Sequence, residues 1–144
     1  MVSHRESGIV VGAARSERAA AIDLVRQWFD AVNLGQSSLA IGLMASPVAI
    51  SISGGHRFSK LEDFMVFASK RYSSVSKQVD AFEACEAAGG VAIYARGRMS
   101  GSWQDGTTFE DVRWCDRFLV EQGLITDLQT WSDIAETRLP TSRD

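Results

Sequence analysis

The sequence predicts an α+β domain whose helices lie in the N-terminal half and whose longest strands lie in the C-terminal half. Two observations carry this. Before residue 73, apolar side chains recur at three- and four-residue steps, the spacing of one helix face. Between Val91 and Ile134 the chain reads as three long strands broken at Asp105-Gly106 and Gln122-Gly123. An Asp-Gly pair between β-rich runs is the strongest local signal of a hairpin, because its turn needs positive φ at both central residues.

Residues 1–15 mix charge, glycine and small side chains without sustained periodicity, so they are expected to form a flexible arm. From Ser16, a plausible N-cap, the stripe Ala21, Leu24, Val25, Trp28, Phe29 and Val32 predicts a helix that stops at Gly35. A short helix from Ser37 to about Ala45 ends before Pro47. The alternation of Val48, Ile50 and Ile52 with Ala49, Ser51 and Ser53 predicts a half-buried strand, turned by Gly54-Gly55 into a short return at His56 to Phe58. Ser59 and Glu62 form a capping-box pattern opening a third helix, with Tyr72 at the far end of its stripe of Leu61, Phe64, Met65 and Ala68. Val75 to Ala88 reads as a weaker strand turning at Gly89-Gly90. Residues 16–136 thus make one domain, followed by a C-terminal tail, 137–144.

A two-residue loop at Asp105-Gly106 sets the register of the first long hairpin: Met99 opposite Val112, Gly97 opposite Trp114, Ala95 opposite Asp116 and Ile93 opposite Phe118. One face is then apolar except for Asp116, which lies between Trp114 and Phe118 with the small residues Ala95 and Gly97 across from it. A carboxylate there must be paired, shift its pKa or meet a ligand. At the next turn a three-residue loop, Glu121 to Gly123, is expected. It pairs Arg117 with Asp127 and Trp114 with Thr130, and sends Leu128, Thr130 and Ser132 to the face of Asp116. The opposite face carries Arg96, Arg98, Arg113 and Arg117, read as a surface salt lattice with Asp111 and Asp127 or as a subunit interface.

Composition narrows the function classes. The 144 residues are 45% hydrophobic and 23% charged, ordinary for a globular domain. A net charge of -3 and a pI near 5.4 argue against nucleic acid or an anionic membrane as partner. Cys85 and Cys115 lie in separate strands without metal-ligand spacing, which suggests reduced thiols in a cytoplasmic protein. No phosphate loop, metal cluster or GxSxG elbow is present. No cofactor is therefore expected, and cofactor-free acid–base chemistry or binding remains. Besides Asp116, the candidate groups are His56 and the hydroxyl of Tyr72.

The order of elements, and above all WQDGTTFEDVRWCDRFLVEQGLITDLQTWSDIAE with its DG turn, DRF strand, GLI turn and Trp-x-Asp end, resembles a SnoaL-like domain of the nuclear transport factor 2-like superfamily. The resemblance implies a cone-shaped barrel, a curved mixed or antiparallel sheet wrapped around three N-terminal-half helices. It also implies an apolar pocket and a homodimer packed through the outer sheet face. Of the functional positions it implies, Trp28 stands where ketosteroid isomerase has its helix tyrosine, Ile52 where it has its base, and Trp114 where it has its protonated aspartate. Thr130 stands where limonene epoxide hydrolase and the polyketide cyclases want an acid on the closing strand. No member's full set is present. The resulting expectation is a pocket for a small apolar molecule, lined by Trp28, Ile52, Ala95, Gly97, Met99, Trp114, Phe118, Leu128, Thr130 and Ser132. Asp116 would act as general acid or base of an isomerase, dehydratase or cyclase on a carbonyl compound, with Tyr72 or His56 polarising the substrate oxygen. The alternatives are a binding module without turnover and a dimeric interaction domain with a filled cone.

Overall fold

The computed structural model describes residues 2–139, with side chains from residue 15 onward. The first helix, α1, runs Val2–Asn33. Its backbone is helical through the segment expected to be an arm, so Ser16 lies inside the helix and does not cap it. That segment has no proline, and its two glycines, Gly8 and Gly12, cost only about 1 kcal/mol each in a helix. Of the expected tail, residues 140–144 lie outside the described residues. The stop of α1 is as expected, with Gly35 at φ +72°. A short α2 (Ser37–Gly42) follows, ending earlier than expected because strand β1 (Met44–Ser51) already begins at Met44. After β2 (Arg57–Phe58) comes α3 (Leu61–Ser69), which starts after Lys60 and has no side-chain cap. The Ser59/Glu62 capping box is therefore not made.

The remaining strands are β3 (Tyr72–Ala87), β4 (Gly90–Trp103), β5 (Thr108–Glu121) and β6 (Leu124–Ser132). All six strands form one sheet in the order β2-β1-β6-β5-β4-β3. Neighbours are antiparallel except β1 and β6, which run parallel, so the sheet is mixed, curved and unclosed. Its concave side packs on α1 through Ala21, Val25, Trp28 and Phe29, against Ile93 of β4 and Phe118 of β5, all at most 4% exposed. Phe29 stands at the centre of this aromatic core, with ring centroids 5.3 Å from both Trp114 and Phe118.

The β4–β5 register has Met99 on Val112, Gly97 on Trp114, Ala95 on Asp116 and Ile93 on Phe118, as expected, but it is reached differently. The loop has three residues: Trp103 N donates to the Thr107 carbonyl at 2.8 Å, and Gly106 sits at φ +89°. A bulge at Asp111, φ +57°, then restores the register. The carboxylate of Asp105 accepts bonds from Thr107 Oγ1 at 2.7 Å and from Arg138 at 2.9 Å. Those partners, Thr107 foremost, hold the Asp105 carboxyl down to about 2.

The next turn corrects an expectation. Gln122 and Gly123, at φ +50° and +79°, make a two-residue loop, and an extra residue at Thr126 shifts the pairing afterwards. Arg117 therefore faces Gln129 and Trp114 faces Ser132, while Asp116 faces Thr130. The combined displacement is two residues. The side-chain period is also two, so Leu128, Thr130 and Ser132 still share the face of Asp116.

On the outer face the arginines are matched. Arg96 meets Glu83 at 3.1 Å, Arg113 meets Asp133 at 2.6 Å, Arg117 meets Asp127 at 3.9 Å, and Arg98 donates to the Asp111 carbonyl at 3.3 Å. The exposed pairs, Arg96 with Glu83 and Arg113 with Asp133, contribute about 0–1 kcal/mol each. Their role is to offset the cross-strand repulsion of Arg98 and Arg113.

Candidate functional site

The concave side of the sheet is not filled by the chain's own side chains. A cavity of about 340 Å³ lies between α1, α3 and the inner faces of β3, β4 and β6. Its walls are mainly apolar: Trp28 and Val32 from α1, Phe64 and Met65 from α3, Met99 from β4 and Phe109 from β5. Tyr72, Ile52, Thr130 and Ser132 also line it. Of the residues singled out from the sequence, Trp28, Ile52, Tyr72, Met99, Thr130 and Ser132 are thus brought together around the cavity.

Tyr72 reaches the cavity from the first position of β3, not from the end of α3, which stops at Ser69. Its ring lies 4.9 Å from that of Trp103. Burial pushes the Tyr72 phenol up from its ordinary value, with the charge of Arg71 pulling the other way.

The other expected residues do not line the cavity. His56 sits in the exposed turn between β1 and β2, its ring 4.7 Å from Phe67. Ala95, Trp114, Phe118 and Leu128 are buried in the core, each at most 3% exposed, with Trp28 and Phe29 of α1 packed directly on Trp114 and Phe118. Gly97 makes no room for a ligand. Its missing side chain is where the backbone of β3 passes: a Cβ there would be driven into the carbonyl oxygen of Gln78 and would lie 3.1 Å from Asp80 N.

Asp116 is buried, at 1% exposure, but it is not a free acid beside a ligand. Lys77 Nζ donates to its Oδ2 at 2.7 Å. The same ammonium lies 4.7 Å from the centre of the Trp114 ring, a cation–π contact. Lys77 lines the cavity and Asp116 does not. The group presented to a ligand is therefore the lysine, with the aspartate sealed behind it. The second carboxylate oxygen, Oδ1, has no hydrogen-bond partner among the described residues.

Lys77 owes its inward position to a bulge. Opposite the Ala88-Gly89 turn the register pairs Glu86 with Val91 and Phe82 with Ala95, but beyond Ala81 it shifts, so that Val79 faces Gly97 and Lys77 faces Met99. Without that extra residue Lys77 would face Ser100 and point outward. Asn33, at the end of α1, fixes the strand there: its Nδ2 donates to the Lys77 carbonyl at 3.0 Å and its Oδ1 accepts from Lys77 N at 3.3 Å.

Arg71 is the other cation on the cavity wall, its guanidinium 4.3 Å from the centre of the Phe67 ring. No aspartate or glutamate lines the cavity among the described residues. Neither does any group of three or more His, Cys, Asp or Glu there offer a metal site. No described helix is long and apolar enough to cross a membrane.

No protein-family model and no curated protein sequence matches the chain. Solved structures do match in shape. An NTF2-like protein of unknown function from Burkholderia pseudomallei superposes with a TM-score of 0.71 at 16% identity, covering 85% of this chain and 98% of that one. A protein provisionally assigned as a SnoaL-like polyketide cyclase from Jannaschia sp. gives 0.71 at 12% identity, covering 85% and 91%. TerC, co-crystallised with polyporic acid, gives 0.70 at 12% identity, covering 83% and 95%. The chain has the nuclear transport factor 2-like fold.

Proposed function

We propose that the chain binds a small, largely apolar molecule in the cavity between α1, α3 and the sheet. The observation that carries this reading is an apolar hollow of about 340 Å³ with a single partly buried ammonium, Lys77, in its wall. A hollow of this size falls at the small end of ordinary ligand pockets, about 300–1,000 Å³. The likeness to TerC, which was co-crystallised with polyporic acid, supports it. The place of Asp116 behind Lys77 favours binding over turnover. An isomerase, dehydratase or cyclase route would have to draw its protons through Lys77 or from Tyr72.

The test is a fluorescence titration with N-phenyl-1-naphthylamine, a neutral apolar probe. Saturable binding is expected for the native chain. Ala68→Phe, which fills the hollow from α3, is expected to weaken it at least about tenfold, a loss of about 1.4 kcal/mol. An unchanged Kd in a folded variant would place the probe elsewhere and sink the reading.

We propose further that the outer sheet face joins two copies. In its support, Tyr94 and Trp131 are 38% and 49% exposed among the arginines of that face. Sedimentation velocity should show a dimer that Trp131→Glu splits. A native chain that stays monomeric at high concentration would rule the dimer out.

A further inference from the structure

The lysine in the cavity wall invites an anionic ligand, but its partner argues otherwise. Lys77 and Asp116, 2.7 Å apart, form a pair of zero net charge. An ammonium has three N–H donors. Asp116 Oδ2 takes one, and the Trp114 face lies 4.7 Å from the nitrogen. A donor remains on a residue that lines the cavity. A carboxylate accepting it would stand next to a second, buried carboxylate in surroundings too apolar to screen the repulsion. A neutral oxygen would gain the same hydrogen bond without that repulsion. Arg71, the other cation of the wall, is exposed to solvent, which screens its pull on an anion.

Resting on the ligand-binding reading above, we propose that Lys77 is the specificity-determining residue of the cavity, and that it selects neutral hydrogen-bond acceptors while Asp116 behind it excludes anions. A ketone, ester or quinone oxygen is such an acceptor. Asp116 is thus a positioning residue with a second effect: it sets the charge that the cavity accepts. Replacing it with asparagine keeps an acceptor for Lys77 and leaves the ammonium uncompensated.

Three probes of one skeleton test this: 2-ethylnaphthalene, 2-acetonaphthone and 2-naphthoate. Each is titrated calorimetrically into the native chain, Asp116→Asn, and the uncharged double variant Lys77→Met/Asp116→Asn, with thermal melts to confirm folding. A hydrogen bond to a charged group is worth about tenfold or more in affinity. In the native chain the ketone should therefore exceed the hydrocarbon by about that factor, and naphthoate should bind more weakly than the ketone. Asp116→Asn should reverse the order of naphthoate and ketone. The double variant should bind ketone and hydrocarbon alike. Naphthoate matching the ketone in the native chain, or an order unmoved by Asp116→Asn, would overturn the proposal. Equal native affinity for ketone and hydrocarbon would overturn it while leaving the apolar pocket standing. Failure of all three probes to bind the native chain would overturn both.

Discussion

Gly97→Ala is expected to cost about 3 kcal/mol of stability, the upper end for forcing extra atoms into a packed interior. In an ordinary strand the same change helps, because glycine loses more backbone freedom on folding than alanine, by roughly 0.5–1 kcal/mol. Here the added methyl group has nowhere to go. It would meet the backbone of β3 at Gln78 and Asp80, and backbone cannot swing aside as the end of a flexible side chain can. Relief requires β3 to lift off β4 at the bulge between Val79 and Ala81. That bulge is what turns Lys77 inward, so the variant should also lose ligand affinity beyond what its stability predicts. Urea melts and the ketone titration check the two parts. A loss below about 1 kcal/mol would mean that the close approach at Gly97 is not as tight as described.

The second large effect is expected from Lys77→Met. Removing one partner of a buried pair leaves the other charge uncompensated, which costs about 3–5 kcal/mol. Asp116 has only 1% exposure and one of its oxygens already has no partner, so nothing nearby takes over. Lys77 keeps 23% of its side chain exposed, which places the cost toward the lower end of that range. Lys77→Met/Asp116→Asn removes both charges and should recover most of the loss. Denaturant melts at neutral pH measure all three chains. If the single and double variants were equally stable at neutral pH, the pair would not be the buried, mutually dependent one described.

Much of this architecture was legible because hydrophobic spacing and turn chemistry speak directly to secondary structure. The stripe from Ala21 to Val32 gave the core face of α1, and the Asp105-Gly106 and Gln122-Gly123 pairs located two hairpins. The face assignment of β4, β5 and β6 survived even where the loops were misjudged. At Asp105 an extra loop residue was undone by the bulge at Asp111, and at Gln122 the total slip was an even number of residues. Bulges leave little mark in a single sequence, and one of them decided the site. Lys77 sits in a stretch whose simplest register turns it outward, where a lysine is unremarkable. Only the bulge beyond Val79, made possible by Gly97, brings it to Asp116. The signal available was the acid itself: a carboxylate on an apolar face calls for a partner, and Lys77 lies two strands away across β4, at an alternate-residue spacing with Val75 and Val79. Tyr72 and His56 were misplaced for a related reason. Where α3 ends and where the β1–β2 turn points depend on packing across the domain, as at the contact of His56 with Phe67.

The most direct check on the central claim is to map where a ligand sits. Titrating 2-acetonaphthone into nitrogen-15 and methyl-labelled protein should perturb Met65 on α3, Met99 on β4, Thr130 on β6 and Lys77, all around the cavity, and leave the outer face near Tyr94 and Trp131 unmoved. Perturbations confined to that outer face, or none at saturating ketone, would contradict the assignment of the cavity as the binding site.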